Sequence, residues 1–336
     1  MNETLIWLVE TTLAVSLFIL LVLMIRKPVA RFANARWAYL LWLLPAVRLV
    51  LAAVPPELSA APAAAAQTAG LPTLAMTLDV SSLLNGVPAY LAVGLLVVWA
   101  TGAVLAGGRL WFAHTAAIRA LLQGSQRPSR EQDRQLAAFG NRMGVFPMVR
   151  CRLSPSVRSP MLTGLLRPTL LLPTNFFETW AEPELVIRHE LVHYRRRDIW
   201  LNVCVAAVRC GFWFNPLMGW AEARFRDDQE VACDRSVLDG ESNARRRRYA
   251  ESMIQAAAGH RAPFALGFVS TEPVIKRRTR AIVHARSGYW RELRGAASLA
   301  VLMLATLILG FDGSAFSMAW MPPLTFPAPI PGGCGG

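Results

Sequence analysis

The sequence contains little lysine, histidine or cysteine. Only two of its 35 basic residues are lysines, and its 336 residues include five histidines and five cysteines. The cysteines show neither Cys-x-x-Cys spacing nor an obvious set of disulfide pairs, so a disulfide scaffold is not expected. Four of them fall in the segment that is assigned to the cytosol below, and a reducing compartment suits them.

Charged residues are also scarce, at 17% of the chain, whereas hydrophobic residues make up 54% and the mean hydropathy is +0.35. These values are too apolar for an ordinary soluble protein and indicate a membrane protein. The net charge of +13 would suit a nucleic-acid partner. However, no basic stripe interleaved with aromatic residues and no nucleic-acid-binding signature accompanies that charge, so direct binding to nucleic acid is not expected.

No basic residue precedes the first apolar run, which argues against a cleaved signal peptide. That run, at 5–25, is the first of four predicted transmembrane helices, and the others lie at 37–54, 87–107 and 296–311. Basic residues follow the first span directly, at positions 26, 27, 31 and 36. The N-terminus is therefore expected outside the membrane.

Basic residues are absent from 49–108 and from 295–336, whereas thirty of the 35 lie between 109 and 294. The positive-inside rule then predicts a multi-pass protein of the cytoplasmic membrane with both termini outside. The expected organisation has three spans in 1–108 with an outer loop at 55–86, a cytosolic domain at 109–295, a fourth span at 296–311 and a Pro- and Gly-rich outer tail at 312–336.

Two charged residues fall inside the predicted spans. Glu10 and Arg48 lie about 9 and 10 Å from the outer boundary, by the helical rise per residue. Because an unpaired charge in the hydrocarbon region is costly, we predict an ion pair between the first two spans. Separate snorkelling of both side chains to the outer interface is the equal alternative.

The chemistry of the chain centres on a His-Glu-x-x-His run at 189–193. Residues four apart share one face of a helix, so His189 and His193 can bind one metal ion while Glu190 points at the same site. Glu230 follows as a third ligand, and this set of ligands indicates Zn²⁺. Three protein ligands leave an open position for catalysis, with Glu190 as general acid and base.

Other residues near these motifs have candidate supporting roles. Asp234 lies one helical turn beyond Glu230 and is expected to accept the outer N–H of a ligand histidine, with Asp198 as the alternative. Cys233 is interpreted as a packing residue of that helix, although a role as fourth ligand is open. Spacing does not choose among three candidates for stabilising an oxyanion, namely Tyr249, His260 and His284.

The protein is expected to be mainly α-helical, with one small antiparallel β-hairpin between 149 and 173. The hairpin is indicated by an alternation of polar and apolar residues, followed by turn residues and a second apolar run. The strand at 170–172 is either purely structural or pairs with an extended substrate. The apolar stretch 199–221 resembles a fifth span, but a crossing there would separate Glu230 from the two histidines by a bilayer. A helix and turn, packed in the domain or dipping into the inner leaflet, are predicted instead.

These motifs together resemble the BlaR/MecR family of integral-membrane metallopeptidases. The residues that carry the resemblance are His189-Glu-Leu-Val-His193-Tyr-Arg-Arg-Arg-Asp198, Phe212-Trp-Phe-Asn-Pro216-Leu, Glu230-Val-Ala-Cys-Asp234, Ser159-Pro160 and Arg167-Pro168. The resemblance implies a gluzincin-like zinc endopeptidase facing the cytosol, with His189, His193 and Glu230 as ligands and Glu190 as catalytic acid and base. In the antibiotic-sensing members the protease cleaves itself and a cytosolic repressor is inactivated, so a repressor and the chain itself are candidate substrates here. The expected partners are a protein substrate and the lipid bilayer, with a homodimer as a candidate assembly.

The sequence departs from the antibiotic-sensing members of that family. Residues 312–336 are too short for a penicillin-binding sensor domain, and the Ser-x-x-Lys nucleophile is absent because Met24 and Pro273 stand three positions before the two lysines. The Arg245–Arg248 run and the basic run 276–280 are interpreted as solvated faces or contacts with anionic lipid, with self-cleavage near the first as the alternative.

Three functions stay open at this point. The leading one is a regulatory membrane zinc endopeptidase that cuts a cytosolic or membrane-proximal protein. The others are a non-catalytic membrane scaffold with a structural metal and a broad-specificity quality-control protease. Glu190 favours an enzyme, because a structural site has no use for a base beside its ligands.

Overall fold

The computed structural model describes residues 2–53, 84, 86–142, 144, 149–180, 182–258, 272–283 and 289–310. Within these residues the chain forms twelve helices and three short strands. The helices are α1 (Asn2–Phe32), α2 (Ala35–Leu40), α3 (Leu43–Ala52), α4 (Ala89–Leu122), α5 (Arg130–Arg142), α6 (Phe176–Thr179), α7 (Pro183–Arg195), α8 (Asp198–Gly211), α9 (Pro216–Val237), α10 (Asn243–Ala258), α11 (Glu272–Val283) and α12 (Tyr289–Gly310). The strands are β1 (Arg150–Ser154), β2 (Met161–Thr163) and β3 (Thr169–Pro173).

Three stretches in the described part of the chain are long and apolar enough to cross a membrane. They are α1, α2 together with α3, and α4, and they match the first three predicted spans. Most of the apolar side chains of α4 are exposed, including Leu95, Val98 and Leu105, which suits contact with lipid. The fourth predicted span falls in α12, and its crossing stays a prediction. Since α4 runs through the predicted boundary at 108, the third span and the start of the next unit share one helix.

The predicted antiparallel hairpin is confirmed for β2 and β3, where Leu162 lies opposite Leu170. The strand at 150–154 was expected in the same hairpin, but β1 pairs with β3 in parallel, so the sheet is mixed and has the order β1-β3-β2. Gly164 begins the turn between β2 and β3 with φ at 87°, a conformation that residues with a Cβ avoid. The parallel partner was missed because strand pairing is set by contacts far apart in the sequence.

Strand β3 lies in the middle of this sheet and has a partner on each side. The hypothesis that 170–172 pairs with a substrate is therefore wrong, because a central strand has no free edge. Leu170 and Leu172 are buried instead, in a core that also contains Phe176, Ile187 and Val192. This core fixes α7 against the sheet.

The apolar stretch 199–221 forms two helices with a break between them. Helix α8 ends at Gly211, and α9 begins at Pro216 after a turn in which the side chain of Asn215 accepts the Leu217 N–H at 3.0 Å. Asn215 also donates to the Ser16 hydroxyl of α1 at 2.8 Å. The predicted helix and turn are thus present, and the turn is anchored on the first span.

Two tryptophans join this turn to the third span. The indole N–H of Trp99 in α4 donates to the Gly211 carbonyl at 2.8 Å, and that of Trp213 donates back to the Trp99 carbonyl at 3.1 Å. The ring of Trp213 lies so close to Gly102 that a Cβ on this glycine would overlap it. The close approach of α4 and the turn thus depends on a residue without a side chain.

We expect Gly102→Ala to destabilise the protein by about 1–3 kcal/mol, because the added methyl group must displace the Trp213 ring. Thermal unfolding of the purified protein in detergent micelles measures the effect. Gly107→Ala is the matched control, since it lies in the same helix with no atom near its Cβ position. Equal melting temperatures for the two variants would show that the tryptophan contact contributes nothing.

Candidate metal centre

Helix α7 presents two imidazoles on one face. Pro183 occupies the first turn, where its missing N–H costs nothing, and Glu184 lies at the positive end of the helix. His189 and His193 are four residues apart, and their Nε2 atoms lie 3.1 Å from each other. His189 is 4% exposed, so the pair lies in the interior rather than on a surface helix.

Helix α9 brings Glu230 to the same point. Its Oε2 lies 3.3 Å from His189 Nε2, and its Oε1 lies 3.5 Å from His193 Nε2. Ligand atoms of a tetrahedral Zn²⁺ ion, each about 2.0 Å from the metal, are about 3.3 Å apart. The three distances in this protein are close to that value, with one carboxylate oxygen of Glu230 beside each imidazole, and the ligand types fit zinc.

Cys233 lies beside the two imidazoles. Its sulfur and the ring nitrogens of His189 and His193 lie within 4.8 Å of one another, so these three residues also form a group that could hold a metal ion. The sulfur is 3.5 Å from the His189 carbonyl oxygen, to which the thiol donates. The structure therefore places Cys233 closer to the metal centre than the packing role predicted from the sequence implies.

Each imidazole is held from behind by a carboxylate. His193 Nδ1 lies 2.6 Å from Asp198 Oδ2, and His189 Nδ1 lies 3.2 Å from Asp234 Oδ1. Arg197, in the left-handed conformation with φ at 58°, makes the turn that returns Asp198 to His193. Such contacts fix the tautomer that leaves Nε2 free for a metal. The sequence offered Asp198 and Asp234 as alternatives, and the structure uses one for each histidine.

Tyr249 helps to orient the imidazole of His189. Its hydroxyl donates to Asp234 Oδ1 at 2.8 Å and therefore accepts from His189 Nδ1, which is 3.0 Å away. This places the hydroxyl behind the imidazole, on the side away from Nε2, where it is poorly placed to stabilise an oxyanion. The other two oxyanion candidates, His260 and His284, lie outside the described residues.

Arg278 of α11 completes the site and was missed from the sequence. Its guanidinium makes two hydrogen bonds of 2.8 Å to Asp234 and lies 3.0 Å from Glu230 Oε2. Burial works to raise the pKa of Asp234, but Arg278 outweighs burial and lowers that pKa to about 2. The basic run 276–280 suggested lipid contact, whereas Arg277 and Arg278 both turn inward onto carboxylates of α9.

Glu190 lies between the imidazoles and the sheet. Its Oε2 accepts the backbone N–H of Leu162, in strand β2, at 2.9 Å. Burial raises the pKa of Glu190, and the two neighbouring imidazoles offset only part of that rise. A carboxylate whose pKa is moved towards neutrality beside a metal centre is suited to accept and return a proton.

The two charged residues predicted inside the membrane lie on neighbouring helices. Glu10 lies on α1 and Arg48 on α3, two helices that pack together, and the two charges attract each other. The ion pair between them stays a prediction.

The arginine run 245–248 makes ion pairs within its own domain. Arg245 pairs with Glu241 and Arg248 pairs with Glu182, so these two side chains contact carboxylates of the domain rather than lipid.

The chain is similar to a known peptidase family. The family model described as BlaR1 peptidase M56 matches residues 6–282. Regulatory protein BlaR1 of Bacillus licheniformis is 26% identical over 162 residues, which cover 47% of this chain and 27% of that relative. The methicillin resistance mecR1 protein of Staphylococcus aureus is 32% identical over 106 residues, which cover 31% of this chain and 18% of that relative. The chain thus spans well under half the length of these relatives.

Proposed function

The chain belongs to the BlaR1 peptidase M56 family, and on that premise we propose that it is a membrane zinc endopeptidase of a regulatory circuit. The observation that carries this function is the convergence of His189, His193 and Glu230, whose facing ring nitrogens and carboxylate oxygens lie 3.1–3.5 Å apart beside the half-buried carboxylate of Glu190. The regulatory role is supported by the relatives, one of which is named a regulatory protein.

Zinc bound by these three residues would polarise a peptide carbonyl and lower the pKa of the attacking water. Glu190 takes one proton from that water as its oxygen adds to the carbonyl carbon. The same carboxyl group then gives the proton to the leaving nitrogen as the C–N bond breaks. Asp198 keeps the imidazole of His193 oriented by accepting its outer N–H, and Asp234 together with the Tyr249 hydroxyl does the same for His189.

The substrate is proposed to lie along strand β2. In the described part of the chain β2 pairs only with β3, so its other edge has no strand partner there. The N–H of Leu162 points to Glu190 on that side, which places the edge next to the catalytic carboxylate. An extended segment of a cytosolic or membrane-proximal protein added there would have its backbone held by strand hydrogen bonds.

The first test replaces Glu190, the proposed general base, by glutamine, which has nearly the same shape. We expect Glu190→Gln to retain zinc and to lose about 10²–10⁴-fold in the rate of hydrolysis, because the amide cannot accept the proton. Metal content is measured by plasma emission, and cleavage with a quenched fluorescent peptide library and by self-cleavage of the chain. Glu184→Gln, on the same helix but paired with Arg142 at the surface, is the control and should keep full activity. Unchanged cleavage by Glu190→Gln would reject the assignment.

A second function, a non-catalytic scaffold with a structural metal, is favoured by one observation. The sulfur of Cys233 lies in the same group as the two imidazoles. If it bound the metal together with Glu230, the site would have four protein ligands and no open position, which is typical of structural zinc.

Cobalt substitution separates the two functions. The open site predicts no thiolate-to-cobalt charge-transfer band and an unchanged spectrum in Cys233→Ala, whereas Glu230→Gln should bind cobalt about tenfold more weakly or worse. A charge-transfer band that disappears in Cys233→Ala would instead indicate the closed site. Cys151→Ala, which removes a half-buried thiol in β1, is the control and should leave the spectrum unchanged.

The metal centre is proposed to face the cytosol, with the 55–86 loop on the other side. The distribution of basic residues supports this orientation, since thirty of 35 lie between 109 and 294. A homodimer and a repressor substrate stay predictions from the family resemblance.

Cysteine labelling tests the orientation. In a cysteine-free background, a membrane-impermeant maleimide should label Gly70→Cys in intact cells. It should label Ser242→Cys, at an exposed position, only after the membrane is permeabilised. Labelling of Ser242→Cys in intact cells would overturn both the orientation and the cytosolic site.

A further inference from the structure

A buried ion pair joins the first membrane helix to the helix that carries Glu230. Nη1 of Arg26, in α1, donates to both carboxylate oxygens of Asp228, in α9, at 2.9 and 3.1 Å. The side chain of Arg26 is 5% exposed and that of Asp228 is fully buried. The indole N–H of Trp42, between α2 and α3, donates to the same carboxylate at 3.0 Å. The two spans at the N-terminus therefore bind one carboxylate of α9.

Asp228 and Glu230 lie on opposite faces of α9. Two residues correspond to about 200° around a helix, so one side chain points towards the spans and the other towards the imidazoles. On the span side, Phe225 packs on Trp42 with ring centroids 6.2 Å apart, and Gln229 donates to the Tyr39 hydroxyl at 3.2 Å. Through this stretch, α9 is held between the membrane helices and the metal centre.

Arg277 of α11 is the third partner of Asp228, and it links the Arg26–Asp228 ion pair to the metal centre through α11. Arg277 of α11 also pairs with Asp228, and the next residue, Arg278, pairs with Glu230 and Asp234. Asp228 is thus the point where α1, the second span, α9 and α11 meet. Because metal ligands must lie within about 0.2 Å of their ideal distances, a small displacement of α9 at this point is enough to disturb the centre.

We propose that Arg26 and Asp228 are positioning residues, through which the first two membrane helices set the place of Glu230 against His189 and His193. The proposal rests on the function proposed above, in which Glu230 is a ligand. It gives a signal in the spans a direct path to the peptidase centre, since movement of α1 relative to α9 changes the distance between the carboxylate and the imidazoles.

The test measures metal binding and turnover in the full-length protein in lipid nanodiscs. We expect Arg26→Gln and Asp228→Asn each to weaken zinc binding, measured by competition with a chromophoric chelator, by about 10–100-fold. We also expect a changed cobalt spectrum and a fall in kcat with little change in KM, because the edge of β2 is untouched. The double variant should be no worse than the worse single one, and Arg26→Lys should recover part of the loss because it keeps the charge.

Glu222→Gln is the matched control. Glu222 is also a buried carboxylate on α9, pairs with Arg209 and Arg226, and has no contact of this kind with α1. A loss of stability alone would affect this variant equally, whereas a positioning role leaves its zinc affinity and cobalt spectrum unchanged. Equal losses in Glu222→Gln and Arg26→Gln would overturn the proposal, as would wild-type zinc affinity and cobalt spectrum in Arg26→Gln and Asp228→Asn. If the neutral variants do not fold, Trp42→Phe is measured instead, because it removes only the indole N–H donated to Asp228 and keeps the ion pair. A positioning role predicts weaker zinc binding and a changed cobalt spectrum in this variant, and wild-type values of both would count against the proposal.

Glu230→Gln distinguishes this proposal from the function on which it rests. If Glu230→Gln loses zinc affinity while Arg26→Gln and Asp228→Asn do not, only the positioning role fails. If Glu230→Gln binds zinc as the wild type does, the ligand assignment fails and the positioning role fails with it.

Discussion

The structure depends on the need of buried carboxylates for positive partners. Helix α9 carries three carboxylates that are almost fully buried, Glu222, Asp228 and Asp234, and a fourth, Glu230, that is about one-third exposed. A buried carboxylate without a partner is strongly destabilising. Each of the four is paired with a cation or imidazole, and the partners come from α1, α7, α8 and α11 as well as from α9 itself. The same requirement therefore brings the first membrane helix, α7, α8 and α11 together around α9.

The turn between α8 and α9 explains why a stretch so apolar belongs to the peptidase region. Large side chains of this stretch remain exposed, among them Trp200, Trp213 and Trp220. Its backbone groups at the turn have partners, because the Gly211 carbonyl accepts from Trp99 and the Leu217 N–H donates to the side chain of Asn215. An exposed apolar surface next to the spans suits contact with lipid. The hydrogen bond from Asn215 to Ser16 holds the start of α9 against the first membrane helix, while its later turns reach the two histidines.

The sequence predicts those features that depend on residues close together in the chain, and it predicts poorly those that depend on contacts between distant residues. The pairing of His189 and His193 follows from helical spacing, and the return of Glu230 follows from the argument that one ion cannot bridge a bilayer. The inward turn of Arg277 and Arg278 could not be predicted, because a basic run beside a membrane has the same local pattern whether it contacts lipid or buried carboxylates. Likewise, alternation identified the strands but not the parallel pairing of β1 with β3, which is decided by residues nearly twenty positions apart.

Charge balance favours the open site over the closed one. Around the two neutral imidazoles stand four carboxylates, Glu190, Glu230, Asp198 and Asp234, and two guanidiniums, Arg196 and Arg278. Two negative charges remain, which one divalent cation neutralises. A Cys233 thiolate would add a third negative charge to a buried site and would remove the thiol hydrogen that is donated to the His189 carbonyl. Since uncompensated charge is costly in the interior, charge balance supports the proposed open site, in which Cys233 is not a ligand.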